Sequence, residues 1–109
     1  MPIHASVTVT AVSTTESTVS NPIILSQFDS PFNVSFGAVV SGTGTITYTV
    51  QHTFEDVSAG ATWFDNSDVS AATASRDGNL AFPAIAIRVL AASGSGQGIV
   101  TLTVLQAGL

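Results

Sequence analysis

Thr45-Ile46-Thr47-Tyr48-Thr49-Val50-Gln51-His52-Thr53 alternates without a break. Ile46, Tyr48, Val50 and His52 fall on one side of an extended chain, and Thr45, Thr47, Thr49, Gln51 and Thr53 on the other. A period of two is the pattern of a strand with one buried face. The opposite face here is a ladder of hydroxyls, which pair well across strands. The same period recurs in both directions along the chain. Phe32, Val34, Phe36 and Ala38 share a face after the turn Asp29-Ser30-Pro31. Ile23-Ile24-Leu25 follows the turn signal Asn21-Pro22, and Ala5–Val12 sets Val7 and Val9 against Thr8 and Thr10. On the other side, Ile85–Ala91 and Ile99–Gln106 read as a strand pair joined by the glycine-serine loop Ser93–Gly98.

Helical periodicity is almost missing. Residues 55–81 are the irregular part, with turns expected at Ser58-Ala59-Gly60 and Arg76-Asp77-Gly78-Asn79. Ser70–Ser75 fits a short strand or a helical turn equally well. Seven or eight short strands in a row predict an all-β fold, an antiparallel β-sandwich with jelly-roll or immunoglobulin-like topology. A small barrel is the alternative. A chain of 109 residues has room for one core, so residues 1–109 are expected to form a single domain, with 1–5 as a candidate N-terminal arm.

Composition narrows the function. Charged residues are 8% of the chain, against about 25% in an average domain. The cations are Arg76 and Arg88, set against seven carboxylates, for a net charge of -5. Two cations cannot neutralise many phosphates, which excludes a nucleic-acid partner, and the same deficit argues against an anionic membrane surface. With no cysteine, disulfides and thiolate metal sites are out. No apolar run approaches the length of a membrane span, and Met1-Pro2-Ile3-His4-Ala5 does not open like a signal peptide.

Fourteen serines and fourteen threonines make up 28 of the 109 residues, so most polar surface is hydroxyl. Soluble monomers ordinarily keep apart through charge on surfaces and edge strands. A surface this poor in charge is expected to be covered by other protein. The last strand pair agrees, because Leu90 and Ala86 lie opposite Ile87 and Val89, and Ile99 and Leu105 lie opposite Val100, Leu102 and Val104. A sheet with one wet face is not apolar on both.

No catalytic constellation is legible. His4 lies near a terminus, and His52 is in line with core residues. Asp65-Asn66-Ser67-Asp68 lacks calcium-loop spacing, and nothing places Glu55-Asp56 across a cleft from Asp68. Gly94-Ser95-Gly96-Gln97-Gly98 leads into a strand, whereas a phosphate-cradling loop leads into a helix. No enzyme activity, metal, cofactor or small-molecule substrate is therefore expected. Trp63-Phe64 stands out, since neighbours in an extended segment point to opposite faces and both rings cannot enter one core. Trp63, Phe64, Phe82 and Pro83 are the expected contact anchors, with Ile3 and His4 of the arm. Arg76 and Arg88 are each expected to pair with a carboxylate of their own chain.

The run Thr45–Phe54 followed by Ala61-Thr62-Trp63-Phe64, together with Ala81–Arg88 and Val100–Gly108, resembles small structural proteins of tailed bacteriophages. The resemblance covers about residues 43–108. It implies a capsid decoration (cement) protein on the virion surface, assembled in the bacterial host cytoplasm. Its partners would be the major capsid protein and other copies of itself, as a dimer or trimer. It carries over no catalytic residue. A tail, nozzle or head-to-tail joining component, and a carbohydrate-binding β-sandwich module, are the competing expectations.

Overall fold

The computed structural model describes residues 3–12, 17–25, 33–42, 44–80 and 83–106. Nine strands are present among them: β1 (Ile3–Ala11), β2 (Thr18–Val19), β3 (Ile23–Ile24), β4 (Val34–Gly42), β5 (Thr45–Thr53), β6 (Trp63–Asp65), β7 (Arg76–Leu80), β8 (Ala86–Ser95) and β9 (Gly98–Gln106). A single 3-10 turn, Val57–Ala59, is capped by the Asp56 carboxylate, which accepts the Ser58 backbone N–H. The strands form two antiparallel sheets. The first has the order β1-β9-β4-β7 and the second β2-β8-β5-β6, with β3 also on β8. The fold is an antiparallel β-sandwich.

Its frame is one folded ribbon. β4 pairs with β9 from Val34↔Gln106 to Gly42↔Gly98, and β5 pairs with β8 from Thr45↔Ser95 to Thr53↔Ala86. Two long segments thus stay paired while both bend from one sheet into the other. The bend lies where Gly42 and Gly96 take positive φ and the Gly44 N–H donates to Gln97 O at 2.9 Å. Adjoining it, the register shifts between Thr45 and Ile46, a bulge that turns the strand. Against this frame β2 and β3 form one broken edge on β8. Pro22 cannot donate to a ladder, and Ser20 restores pairing at the break. Its N–H reaches Val89 O at 2.9 Å and its hydroxyl accepts the Val89 N–H at 3.0 Å.

The alternating residues meet between the sheets. Val9, Val34, Phe36, Val100, Leu102 and Val104 come from the first sheet, and Ile46, Tyr48, Val50, Ile87, Val89 and Ala91 from the second. Tyr48 is fully buried, and its hydroxyl donates to Ala74 O at 2.6 Å. Burial raises its pKa, against the smaller opposing effects of the Arg76 backbone hydrogen bond and charge.

Three expectations are corrected here. Arg76-Asp77-Gly78-Asn79 is not a turn; it is most of β7, paired to β4. Turn propensity yields to packing, because Gly78 lies over Phe36, whose ring carbon Cζ would be 2.8 Å from any Cβ at that position. The glycine-serine loop shrinks to Gly96-Gln97, since Ser93–Ser95 extend β8 along β5. Residues 3–5 are not a free arm, because Ile3, His4 and Ala5 pair with Gln106, Leu105 and Val104 of their own chain. Ser70–Ser75 resolves as an irregular segment with one bridge, Tyr48↔Ala72.

Candidate partner-contact site

The pairing registers place the outward-facing residues of each sheet in rows. On the second sheet one row is Asp65, Gln51 and Arg88, and the next is Trp63, Thr53, Ala86 and Ile24. The side chains of the first row are linked. Gln51 donates Nε2–H to Asp65 Oδ1 at 2.9 Å and accepts Arg88 Nε–H on its Oε1 at 2.9 Å. Arg88 then leans across to the second row, with its guanidinium carbon 4.2 Å from the centre of the Trp63 ring. Both Arg88 and Trp63 are half-buried. Desolvation lowers the Arg88 pKa. Thr53, wholly buried beside them, holds the edge strand by donating to Thr62 O at 2.7 Å and accepting the Glu55 N–H at 3.2 Å.

Phe64 points the other way, as the adjacency rule requires of a strand. On that side it meets His52 of β5 and Phe54, the residue just after β5. The His52 ring lies 5.3 Å from Phe54 edge-on and 6.2 Å from Phe64 stacked, and the two phenyl rings are 5.7 Å apart. This trio closes the end of the sandwich opposite the glycine bend. His52 is buried while Phe54 and Phe64 are each 48% exposed. Burial of the imidazole disfavours its charged form and lowers its pKa.

On the first sheet the outward rows are His4-Leu105-Ser35-Asn79, Ser6-Thr103-Gly37-Asp77, Thr8-Thr101-Val39 and Thr10-Ile99-Ser41. His4 and Asp77 are its titratable groups. Leu105 is 52% and Val39 59% exposed. Gly37 lacks any atom within 4 Å of where a side chain would begin. Beside it lie two shallow depressions, of about 300 Å³ toward Ser75, Arg76 and Asp77 and about 200 Å³ toward Ser35, Thr103 and Leu105. Thr8 and Thr101 hydroxyls meet at 3.1 Å.

The expected anchors therefore do not form one patch. Trp63 and Phe64 sit on the same edge strand but on opposite sides of it, and Pro83 is exposed just ahead of β8. His4 is exposed on the edge strand of the other sheet. Phe82 lies outside the described residues, and Ile3 is placed by its backbone alone. Among the described residues no carboxylate pairs with Arg76 or Arg88, and Glu16 and Asp29 lie outside them. Sequence reasoning missed Gln51, Asp65 and Phe54. The signal for Gln51 was its place on the polar side of β5, in a row that only the register reveals. Among the described residues no group of three or more histidine, aspartate or glutamate side chains could hold a metal ion.

No family model matches the chain, and no curated protein matches it. Among solved structures it is similar to a protein of Bacillus endospore appendages, which form disulfide-linked pili. That likeness has 15% identity over 99% of this chain and 89% of that one, with a TM-score of 0.45. A family 16 carbohydrate-binding module-2 shares 12% identity over 87% of this chain and 73% of its own, with a TM-score of 0.46. The VP2 subviral particle of infectious bursal disease virus shares 9% identity over 95% of this chain and 32% of its own, with a TM-score of 0.43.

Proposed function

We propose that this chain is a non-enzymatic structural protein that acts by burying its surfaces against other polypeptides. Within that class, it is a capsid decoration protein of a tailed-phage virion. It binds the outer lattice of the major capsid protein as a dimer or trimer, after assembly in the bacterial cytoplasm. The observation that carries this reading is the outer face of the first sheet. It is four strands wide, holds two titratable side chains, and exposes Leu105 and Val39 amid serine and threonine. Such a face gains by leaving water and has little charge to desolvate. The strand order adds support: β1-β9-β4-β7 against β2-β8-β5-β6 follows from wrapping one folded ribbon, which we read as a jelly roll. Each contact can be weak, because a lattice repeats it many times.

Adding the purified protein to shells assembled without it should raise their melting temperature, and electron microscopy should find it at hundreds of copies on the outer lattice. The absence of both binding and a thermal shift would refute decoration, and a ring of six or twelve copies would place the chain in the tail or neck. A carbohydrate-binding role finds one supporting feature, the indole of Trp63 beside Gln51, Arg88 and Asp65. It is the weaker reading, because Arg88 already occupies one face of the ring on which a sugar would stack.

A further inference from the structure

We propose that the outer face of the second sheet holds a carboxylate-binding site, with Arg88 as the receptor and Trp63 as its platform. This goes beyond the virion reading and does not depend on it. Arg88 is a half-buried cation on β8, flanked by β5 on one side and by β2 and β3 on the other, in a chain with seven carboxylates. None of those carboxylates is its partner among the described residues. Charges drawn out of water are ordinarily paired, and among the described residues this one meets a ring and an amide.

Those two contacts fix how the guanidinium is presented. Trp63 supports it at 4.2 Å, and Gln51 takes its Nε–H at 2.9 Å. Gln51 cannot turn away, because its own Nε2 is held by Asp65 Oδ1 at 2.9 Å. With Nε spent, the two Nη groups remain without a hydrogen bond to any described residue. Their end-on pair of N–H bonds matches the two oxygens of one carboxylate. The site is therefore pre-ordered, which lowers the entropy lost on binding. Asp65 does not neutralise it directly, since an amide stands between them. Arg76, exposed on edge strand β7, has no comparable support and serves as an internal control.

The carboxylate can be an aspartate or glutamate of a neighbouring polypeptide, a second copy of this chain included, or it can belong to a small molecule. One chemistry serves both, and the only tryptophan in the chain stands beside the receptor. Titrating the full chain with sodium acetate, at ionic strength held by chloride, should change Trp63 emission saturably. Half-saturation should be on the order of 10 mM, as for one bidentate pair without other contacts. Acetamide, the neutral isostere, should do nothing. Arg88→Gln should abolish the response, Arg88→Lys should weaken it at least several-fold, and Arg76→Gln should leave it intact. Urea denaturation of each variant verifies that it is folded. Superimposable acetate and chloride curves in the wild type, or a response that survives Arg88→Gln, would overturn the proposal. Sedimentation with and without acetate then assigns the source. Oligomers that acetate dissociates and Arg88→Gln lacks mean a carboxylate from a second copy. A monomer that still responds to acetate means one from elsewhere.

Discussion

The two ends of the sandwich are built on opposite terms. At one end, where both long segments bend between sheets, Gly42, Gly44, Gly96 and Gly98 bring backbone against backbone. A Cβ on Gly44 would collide with the Ser95 carbonyl oxygen and lie 2.6 Å from the Gln97 nitrogen, and one on Gly98 would lie 2.7 Å from the Ile46 Cβ. At the other end the rings of His52, Phe54, Phe64 and Trp63 are larger than the core needs, and half of each phenylalanine remains in water. The first end fixes the fold by excluding side chains. The second leaves apolar surface exposed beyond what the core takes up. The contrast also explains why the bend tolerates no charge or bulk, while the open end can hold Arg88, Gln51 and Asp65 in one row.

The largest effect should come from breaking the tight end. Gly44→Ala should cost about 3 kcal/mol or more in urea denaturation, because the clash is with backbone that cannot swing aside. Gly37→Ala is the matched control. It lies in strand β4 with nothing within 4 Å of the new methyl, and alanine limits the unfolded chain more than glycine does. That variant should be unchanged or gain about 0.5 kcal/mol. Equal losses at the two positions would show that the bend is not the constraint described here.

At the open end the next effect is Thr53→Val. Its hydroxyl joins Thr62 and Glu55 to β5 in a site closed to solvent, so the isosteric valine removes two hydrogen bonds while keeping the volume. A loss of about 1–2 kcal/mol is expected, with β6 amides gaining hydrogen exchange before the rest of the second sheet. Uniform exchange across that sheet would mean that the edge strand does not open by itself.

How much of this was legible in the sequence follows from the range of each interaction. The strand containing Ile46, Tyr48 and Val50 is set by nearest-neighbour alternation, so its limits, Thr45–Thr53, match the pattern. β9 runs through to Gln106, as its pattern does. β7 was hidden, since Arg76-Asp77-Gly78-Asn79 has turn composition and becomes a strand only because Phe36 of β4 needs a residue without a side chain above it. The split between Trp63 and Phe64 was predictable from adjacency alone. The Asp65-Gln51-Arg88 row was not, because residues 14 and 37 positions apart in the chain are brought level by the register of three strands. Chain-local patterns reveal faces, and only pairing reveals what stands side by side on them.

A smaller effect should appear with pH. Burial holds the folded-state pKa of His52 below its ordinary value of about 6.5. Above that value His52 is neutral in both states, and its environment costs nothing. As pH falls through it, the unfolded chain takes up the proton more readily, so stability declines until the folded pKa is passed. The urea midpoint should therefore fall between pH 7.5 and pH 5, and His52→Gln should flatten that part of the profile.

The smallest change in stability should come from Phe64→Ala. The ring is 48% exposed and packs on Phe54 and His52 from an edge strand three residues long, so its removal should cost about 1 kcal/mol or less. A ring held in place for the core would cost about 3–5 kcal/mol on the same truncation. The difference between those two figures separates the ends of the molecule more sharply than any other single substitution. If the open end is a contact surface, Phe64→Ala should leave the urea midpoint nearly where it was while weakening attachment to shells at least ten-fold, since large aromatics concentrate binding energy at interfaces. A core-sized loss of stability would assign Phe64 to the fold instead, and unchanged attachment would show that it is not a contact anchor.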